Sequence, residues 1–104
     1  MKDVILFPFD IEDNNKTAYV QAMKLADEQD AKIVMFTALH QKDYYQKIDQ
    51  VYFHLLELNG YYQTFTNGWQ DTPSVEMERK ILKGDKNFLM EQVVAETQPK
   101  WIIE

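Results

Sequence analysis

Residues 4–39, VILFPFDIEDNNKTAYVQAMKLADEQDAKIVMFTAL, decide the fold. The stretch begins with an apolar run at residues 4–9 and ends with a second one at residues 31–39. Short runs that are apolar on both faces are typical of parallel strands covered by helices on both sides. Pro8 lies near the end of the first run, where strand pairing stops and the missing backbone donor is tolerated.

The segment between the two runs predicts an amphipathic helix. Asp13, Asn14 and Asn15 offer side chains that could cap its start. Small and apolar residues then recur at helical spacing, namely Ala18, Tyr19, Ala22, Met23, Leu25 and Ala26. A strand, a helix and a strand in this order predict a right-handed βαβ unit with parallel strands.

The rest of the chain continues the alternation of helices and strands. A second helix follows from the apolar spacing of Tyr44, Tyr45, Ile48, Val51, Tyr52, Leu55 and Leu56. Residues 67–74 form a turn-rich loop, and residues 75–82 an edge strand with alternating charges. Gly84 and Asp85 break the chain and cap a third helix, which ends before Pro99. Residues 101–103 begin a fourth strand. The order of the elements is therefore βαβαβαβ. This order predicts a single α/β domain over residues 1–104, with an open, doubly wound parallel sheet.

Composition excludes several classes of protein. The 104 residues carry 17 Asp and Glu against 11 Lys and Arg, a net charge of −6 that disfavours nucleic-acid binding. The absence of cysteine excludes disulfides, thiol catalysis and Cys-ligated metal. No apolar run approaches the roughly 20 residues of a membrane span. The first residues do not resemble a signal peptide, so we expect a cytoplasmic protein that binds neither membrane nor nucleic acid.

Two groups of residues resemble the universal stress protein family. The first, over residues 4–39, consists of Val4-Ile5-Leu6-Phe7-Pro8-Phe9-Asp10, Ala18, Ala22, Leu25-Ala26 and Ala31-Lys32-Ile33. The second, over residues 82–104, consists of Leu82-Lys83-Gly84-Asp85, Val93-Val94 and Trp101-Ile102-Ile103. The residues between these groups match the family weakly.

The resemblance implies the strand order 3-2-1-4 with helices on both faces, and a crevice between strands 1 and 4. In nucleotide-binding members the Asp after strand 1 contacts the adenine end of ATP, and Asp10 occupies that position. Pro8 and Phe9 precede it, and Ala38 matches the end of strand 2 beside the crevice. These four residues are the candidate nucleotide site.

The family's phosphate loop, Gly-x-x-Gly with nine residues before Gly-Ser or Gly-Thr, follows strand 4. The printed sequence stops at Glu104 before any such loop, so we expect either a naturally short member or a truncated one. Its three glycines lack phosphate-loop spacing, and Asp10, Glu12, Asp13 and Glu104 gather negative charge. We therefore favour Asp10 as a strand-end carboxylate that caps a helix or faces water, and expect no cofactor beyond weak ATP binding.

Other candidate sites receive less support. Asp10, Glu12 and Asp13 could hold magnesium as in receiver domains, but strand 3 lacks the acceptor Asp, and a solvated acidic helix start explains them more simply. His40 and His54 lack metal-ligand spacing, and we expect them at exposed or strand-end positions. No nucleophile lies in a recognisable motif, so we assign no catalytic residue and favour a protein that is not an enzyme.

The aromatic residues divide into two groups. Tyr44, Tyr45 and Tyr52 belong to the helical stripe and are predicted to cover the sheet. The candidates for a partner-binding surface lie outside that stripe, namely Tyr61, Tyr62, Phe65 and Trp69.

Strand 4 is predicted to form an edge of the sheet with an apolar face, which favours pairing with a second copy. We therefore expect a homodimer. Two functions stay open. One is a non-catalytic universal-stress-protein-like module for the stress response that acts through self-association or a protein partner. The other is a small-molecule-binding or hydrolytic α/β protein with a site at the dimer crevice.

Overall fold

The computed structural model describes residues 2–13, 15–65 and 75–103. The loop predicted at residues 67–74 lies outside them. The elements alternate as predicted: β1 (Val4–Pro8), α1 (Lys16–Gln29), β2 (Lys32–Leu39), α2 (Tyr44–Phe65), β3 (Met77–Lys83), α3 (Lys86–Thr97) and β4 (Trp101–Ile102). None of the described helices is both long and apolar enough to cross a membrane.

The four strands form one parallel sheet in the order β3-β2-β1-β4, which confirms the predicted order. Ile5 in β1 lies opposite Ile33 in β2 and opposite Trp101 in β4. The first and second apolar runs therefore lie side by side in the centre of the sheet, where both of their faces are buried. β3 and β4 form the two edges.

Because side chains alternate along a strand, the sheet has two distinct cores. On the front face, Ile5, Phe7 and Met35 pack under α1 and α2. On the back face, Leu6, Val34 and Phe36 pack under α3, whose buried residue is Val93. Helices thus cover both faces, as predicted.

The two helix starts that follow predicted caps differ. Asp85 caps α3, because its carboxylate accepts a hydrogen bond from the backbone N–H of Phe88 at 3.0 Å. Asn15 occupies the N-cap position of α1, but its side chain makes no capping bond. Its amide group instead donates to the backbone carbonyl of Asp10, two residues after the end of β1.

The burial of α2 differs from the prediction. Its buried line runs through Val51, Leu55, Leu58 and Tyr62, at alternating spacings of four and three residues. Tyr45 and Tyr52, which were predicted to cover the sheet, are 79% and 49% exposed. Tyr52 follows Val51 by one residue, which turns its side chain roughly 100° away from the buried line.

The position of Tyr62 corrects the prediction for the second group of aromatic residues, the candidates for a partner-binding surface. Tyr62 was one of these candidates, yet it is 3% exposed and belongs to the front core. The reason is that α2 continues through Gly60 as far as Phe65, which extends the buried line by one more turn. Tyr61 is half-buried, with the Lys16 ammonium 5.2 Å from its ring centroid. The side chain of Phe65 and the whole of Trp69 lie outside the described residues.

Candidate ligand crevice at the carboxyl end of the sheet

A cavity of about 380 Å³ opens where the carboxyl end of β1 meets the start of α3. In a parallel sheet the carboxyl ends of the strands share one edge, and ligand crevices form there at the point where the strand order reverses. Here the order reverses between β1 and β4. The lining residues are Pro8, Phe9, Asp10, Asp13, Asn15, Lys86, Asn87 and Met90.

Asp10 is half-buried and holds the turn that follows β1. Its Oδ1 accepts a hydrogen bond from the backbone N–H of Glu12 at 3.0 Å, and its carbonyl accepts one from the N–H of Asp13 at 3.1 Å. The second carboxylate oxygen, Oδ2, accepts no hydrogen bond from the described residues. One oxygen is therefore structural, and the other is available to a ligand in the crevice.

Asn15 connects the crevice to the helices of the front face. Its Nδ2 donates to the backbone carbonyl of Asp10 at 2.6 Å and lies 3.1 Å from Nε2 of His54. When this nitrogen of His54 accepts the bond, the ring hydrogen lies on Nδ1. The His54 ring also stacks on Phe9, with centroids 6.1 Å apart and planes 18° from parallel.

These contacts correct the expectation of an exposed His54. The residue is half-buried and does not itself line the crevice, but it contacts Asn15 and Phe9, which do, and helps to fix their positions. His40, in contrast, is exposed at the end of β2, as expected. The sequence pattern could not find the role of His54, because its partners lie 39 and 45 residues away along the chain.

Lys86 brings a positive charge to the same cavity. It is the first residue of α3, exposed, and forms no ion pair with any described residue. The start of α3 adds the partial positive charge of a helix N-terminus. Sequence reasoning missed Lys86, because its position beside the end of β1 depends on how α3 packs on the sheet.

The negative charge of the crevice is smaller than the sequence predicted. Glu12 does not line it, and its carboxylate lies 3.8 Å from the ammonium of Lys47. Glu104 lies outside the described residues. Asp10 and Asp13 therefore face the single lysine Lys86 within the described lining. Among the residues that the structure covers, no three His, Asp or Glu side chains are grouped as a metal site.

Three of the four predicted site residues, Pro8, Phe9 and Asp10, line this cavity. Ala38 does not. It lies on the back face of β2, where it packs against the core under α3. The grouping of the first three follows from their contiguity at the end of β1. Ala38 belongs to another strand, β2, and its side chain packs against the back core.

No model of a known protein family matches this sequence, and no curated protein matches it. Solved structures do. A universal stress protein in complex with cAMP superimposes with a TM-score of 0.69 and 16% identity, over 97% of this chain and 70% of that one. The protein Rv1636 from Mycobacterium tuberculosis H37Rv gives a TM-score of 0.66 and 13% identity, over 98% of this chain and 69% of that one.

The fold resemblance predicted from the sequence is therefore confirmed: this chain has the α/β fold of universal stress proteins. At such low identity the likeness concerns the fold, and a ligand depends on the chain's own residues.

Proposed function

We propose that this chain is a non-catalytic, universal-stress-protein-like module that binds a purine nucleotide with a single phosphate in the crevice. One observation carries the proposal: Asp10 and Lys86 line the same cavity of about 380 Å³. One structural relative is described in complex with cAMP, which is a purine nucleotide with one phosphate. Small-ligand sites commonly combine such a volume with a few convergent polar groups.

Asp10 and Lys86 suit the two ends of such a ligand. The free oxygen of Asp10 can accept a hydrogen bond from the exocyclic amino group of adenine. Pro8 and Met90 are half-buried and offer apolar contacts to the ring. The ammonium of Lys86 can donate charge-assisted hydrogen bonds to the phosphate.

Electrostatics favours one phosphate over three. Asp10 and Asp13 place two carboxylates in a crevice with one lysine, in a protein of net charge −6. Each additional phosphate adds repulsion that no further described cation in the lining offsets. We therefore expect cAMP and AMP to bind more tightly than ATP.

Calorimetric titration with cAMP, AMP and ATP tests this proposal. We expect Lys86→Gln to weaken cAMP binding about tenfold, since a charge-assisted hydrogen bond contributes roughly that factor. Lys24→Gln, which removes one charge from an exposed position on α1, should leave the affinity unchanged. Absence of binding at millimolar cAMP, or tighter binding of ATP than of AMP, would show that the proposal is wrong.

A catalytic role receives no support from the crevice. Its described lining contains no serine, threonine or cysteine that could act as a nucleophile, and no histidine that could act as its base. We assign no catalytic residue to this lining, and the alternative of a small-molecule-binding or hydrolytic α/β protein with a site at the dimer crevice stays a prediction.

Self-association is a second proposed function, and the β4 edge favours it. Ile102 lies on the back face and is 46% exposed. Half-buried Val4, Met90 and Val94 belong to the core on the same face. An apolar edge of this kind favours burial against another protein surface, which we propose is the same surface of a second copy.

Sedimentation at micromolar concentration tests the homodimer. We expect Ile102→Glu to convert a dimer to a monomer, because it places a charge in the centre of the proposed interface. Leu56→Glu is the matched control, since Leu56 is 67% exposed but belongs to α2 on the front face. If the wild-type protein sediments as a monomer, the proposal of self-association is wrong.

A further inference from the structure

A second, larger cavity of about 520 Å³ lies on the front face, between α2 and the strands β2 and β3. Its residues come from α1, α2, the sheet and the segment just before β3, and none of them lines the crevice: Tyr19, Met35, Tyr52, Leu55, Leu56, Asn59, Val75, Met77 and Arg79. The walls are mainly apolar, and they include two methionines, whose flexible side chains adapt to ligand shape. The volume is typical of small-molecule sites.

Arg79 is the only described cation in this lining, and the described residues leave it without a hydrogen bond or ion pair. Its neighbours on β3 are engaged differently. Lys80 lies 3.5 Å from the carboxylate of Glu78, and Lys83 donates to the hydroxyl of Tyr45 at 3.1 Å. A guanidinium that no described residue pairs, beside apolar walls, is suited to an anionic group on an otherwise apolar ligand.

Tyr19 supplies a second polar group at the same place. Its side chain is 2% exposed, and its hydroxyl donates to Oδ1 of Asn59 over a long distance of 3.5 Å. Burial raises the pKa of Tyr19 to about 12, although the positive charge of Arg79 opposes the shift. The hydroxyl therefore stays protonated at neutral pH, and its O–H can turn from a weak bond to a better acceptor.

We propose that this cavity binds a small amphipathic carboxylate, such as a medium-chain fatty acid. The carboxylate would pair with Arg79 and accept a hydrogen bond from Tyr19. The hydrocarbon chain would lie against Met35, Leu55 and Met77. The charge and the apolar walls select this class together, because an alcohol of the same length cannot pair with the guanidinium and a short carboxylate buries little apolar surface.

Octanoate and octanol are matched probes, and methyl-labelled methionines are the reporters. We expect octanoate to shift the NMR signals of Met35 and Met77, whereas those of Met23 and Met90 stay in place. Arg79→Gln should weaken octanoate binding about tenfold or more and leave octanol binding nearly unchanged. Tyr19→Phe should weaken octanoate binding severalfold.

Lys83→Gln is the control, because it removes one positive charge from the same strand and face without altering the cavity lining. If millimolar octanoate leaves Met35 and Met77 unshifted, shifts Met90 instead, or binds Arg79→Gln as tightly as the wild type, the inference is overturned. Arg79→Gln should also retain nucleotide binding in the crevice, so the two proposals succeed or fail separately.

Discussion

Replacing Phe36 with alanine should lower the free energy of unfolding by about 4 kcal/mol, the usual cost of deleting a buried aromatic side chain. Phe36 lies in the centre of β2 and is 0% exposed. Its ring packs in the back core with Leu6, Val34 and Val93. A loss of this size is a large part of the roughly 5–15 kcal/mol that stabilises a typical domain.

The small size of the back core is the reason for the large effect. Among the described elements, α3 alone covers this face, so few neighbouring side chains can move to fill the space that the ring leaves. Unfilled space adds a cavity term to the lost transfer energy. Urea unfolding followed by circular dichroism measures the change through the midpoint, provided that the slope is unchanged.

Phe88→Ala is the control for this experiment, since Phe88 lies on the outer surface of α3 and is 59% exposed. We expect it to change the free energy of unfolding by less than about 1 kcal/mol. If Phe36→Ala and Phe88→Ala lowered the free energy of unfolding equally, the assignment of α3 as the cover of the back face would be contradicted.

Replacing Tyr62 with alanine should cost about 3 kcal/mol, comparable with other buried aromatic deletions. Tyr62 is 3% exposed near the end of α2, and its ring meets Tyr19 edge-on with centroids 6.2 Å apart. Removing it opens the front core between α1 and α2. The edge-on pair contributes beyond the buried area, so Tyr19→Phe, which keeps the ring, should cost much less.

Tyr45→Ala is the matched control on the same helix. Tyr45 is 79% exposed and forms an edge-on pair with Tyr44. The ammonium of Lys83 lies 4.5 Å from its ring centroid and donates to its hydroxyl at 3.1 Å. Exposed contacts of this kind contribute about 1 kcal/mol or less. Thermal unfolding of both variants compares the two sides of α2. A larger loss of stability in Tyr45→Ala than in Tyr62→Ala would support the sequence-based prediction that Tyr45 covers the sheet.

The amino-acid sequence by itself determined the order of the elements and the architecture of the sheet. Residues 4–9 and 31–39 are apolar on both faces, and a helix-length segment separates them. Two parallel strands that are joined by a helix and buried in the centre of the sheet account for both observations. Asp85 was predicted as a helix cap for an equally local reason, because its side chain reaches a backbone N–H three residues later.

The candidate crevice was predictable in part. Pro8, Phe9 and Asp10 are consecutive, so the end of one strand brings them together, and the family resemblance indicated which strand it is. Lys86 comes from an element more than 70 residues later and was missed. Ala38, which comes from β2, does not line this cavity and packs against the back core, so its part in a site stays a prediction.

Only the tertiary structure decided which side of α2 is buried. Tyr45, Tyr52 and Tyr62 are equally apolar, so helical spacing allows more than one line of contact. The position of α1 and the sheet selects one of them. The same holds for the pairing of His54 with Asn15 and for the cavity beside Arg79. Local sequence predicts where a helix or strand forms. Which of its faces is buried depends on the elements that pack against it, and these come from distant parts of the chain.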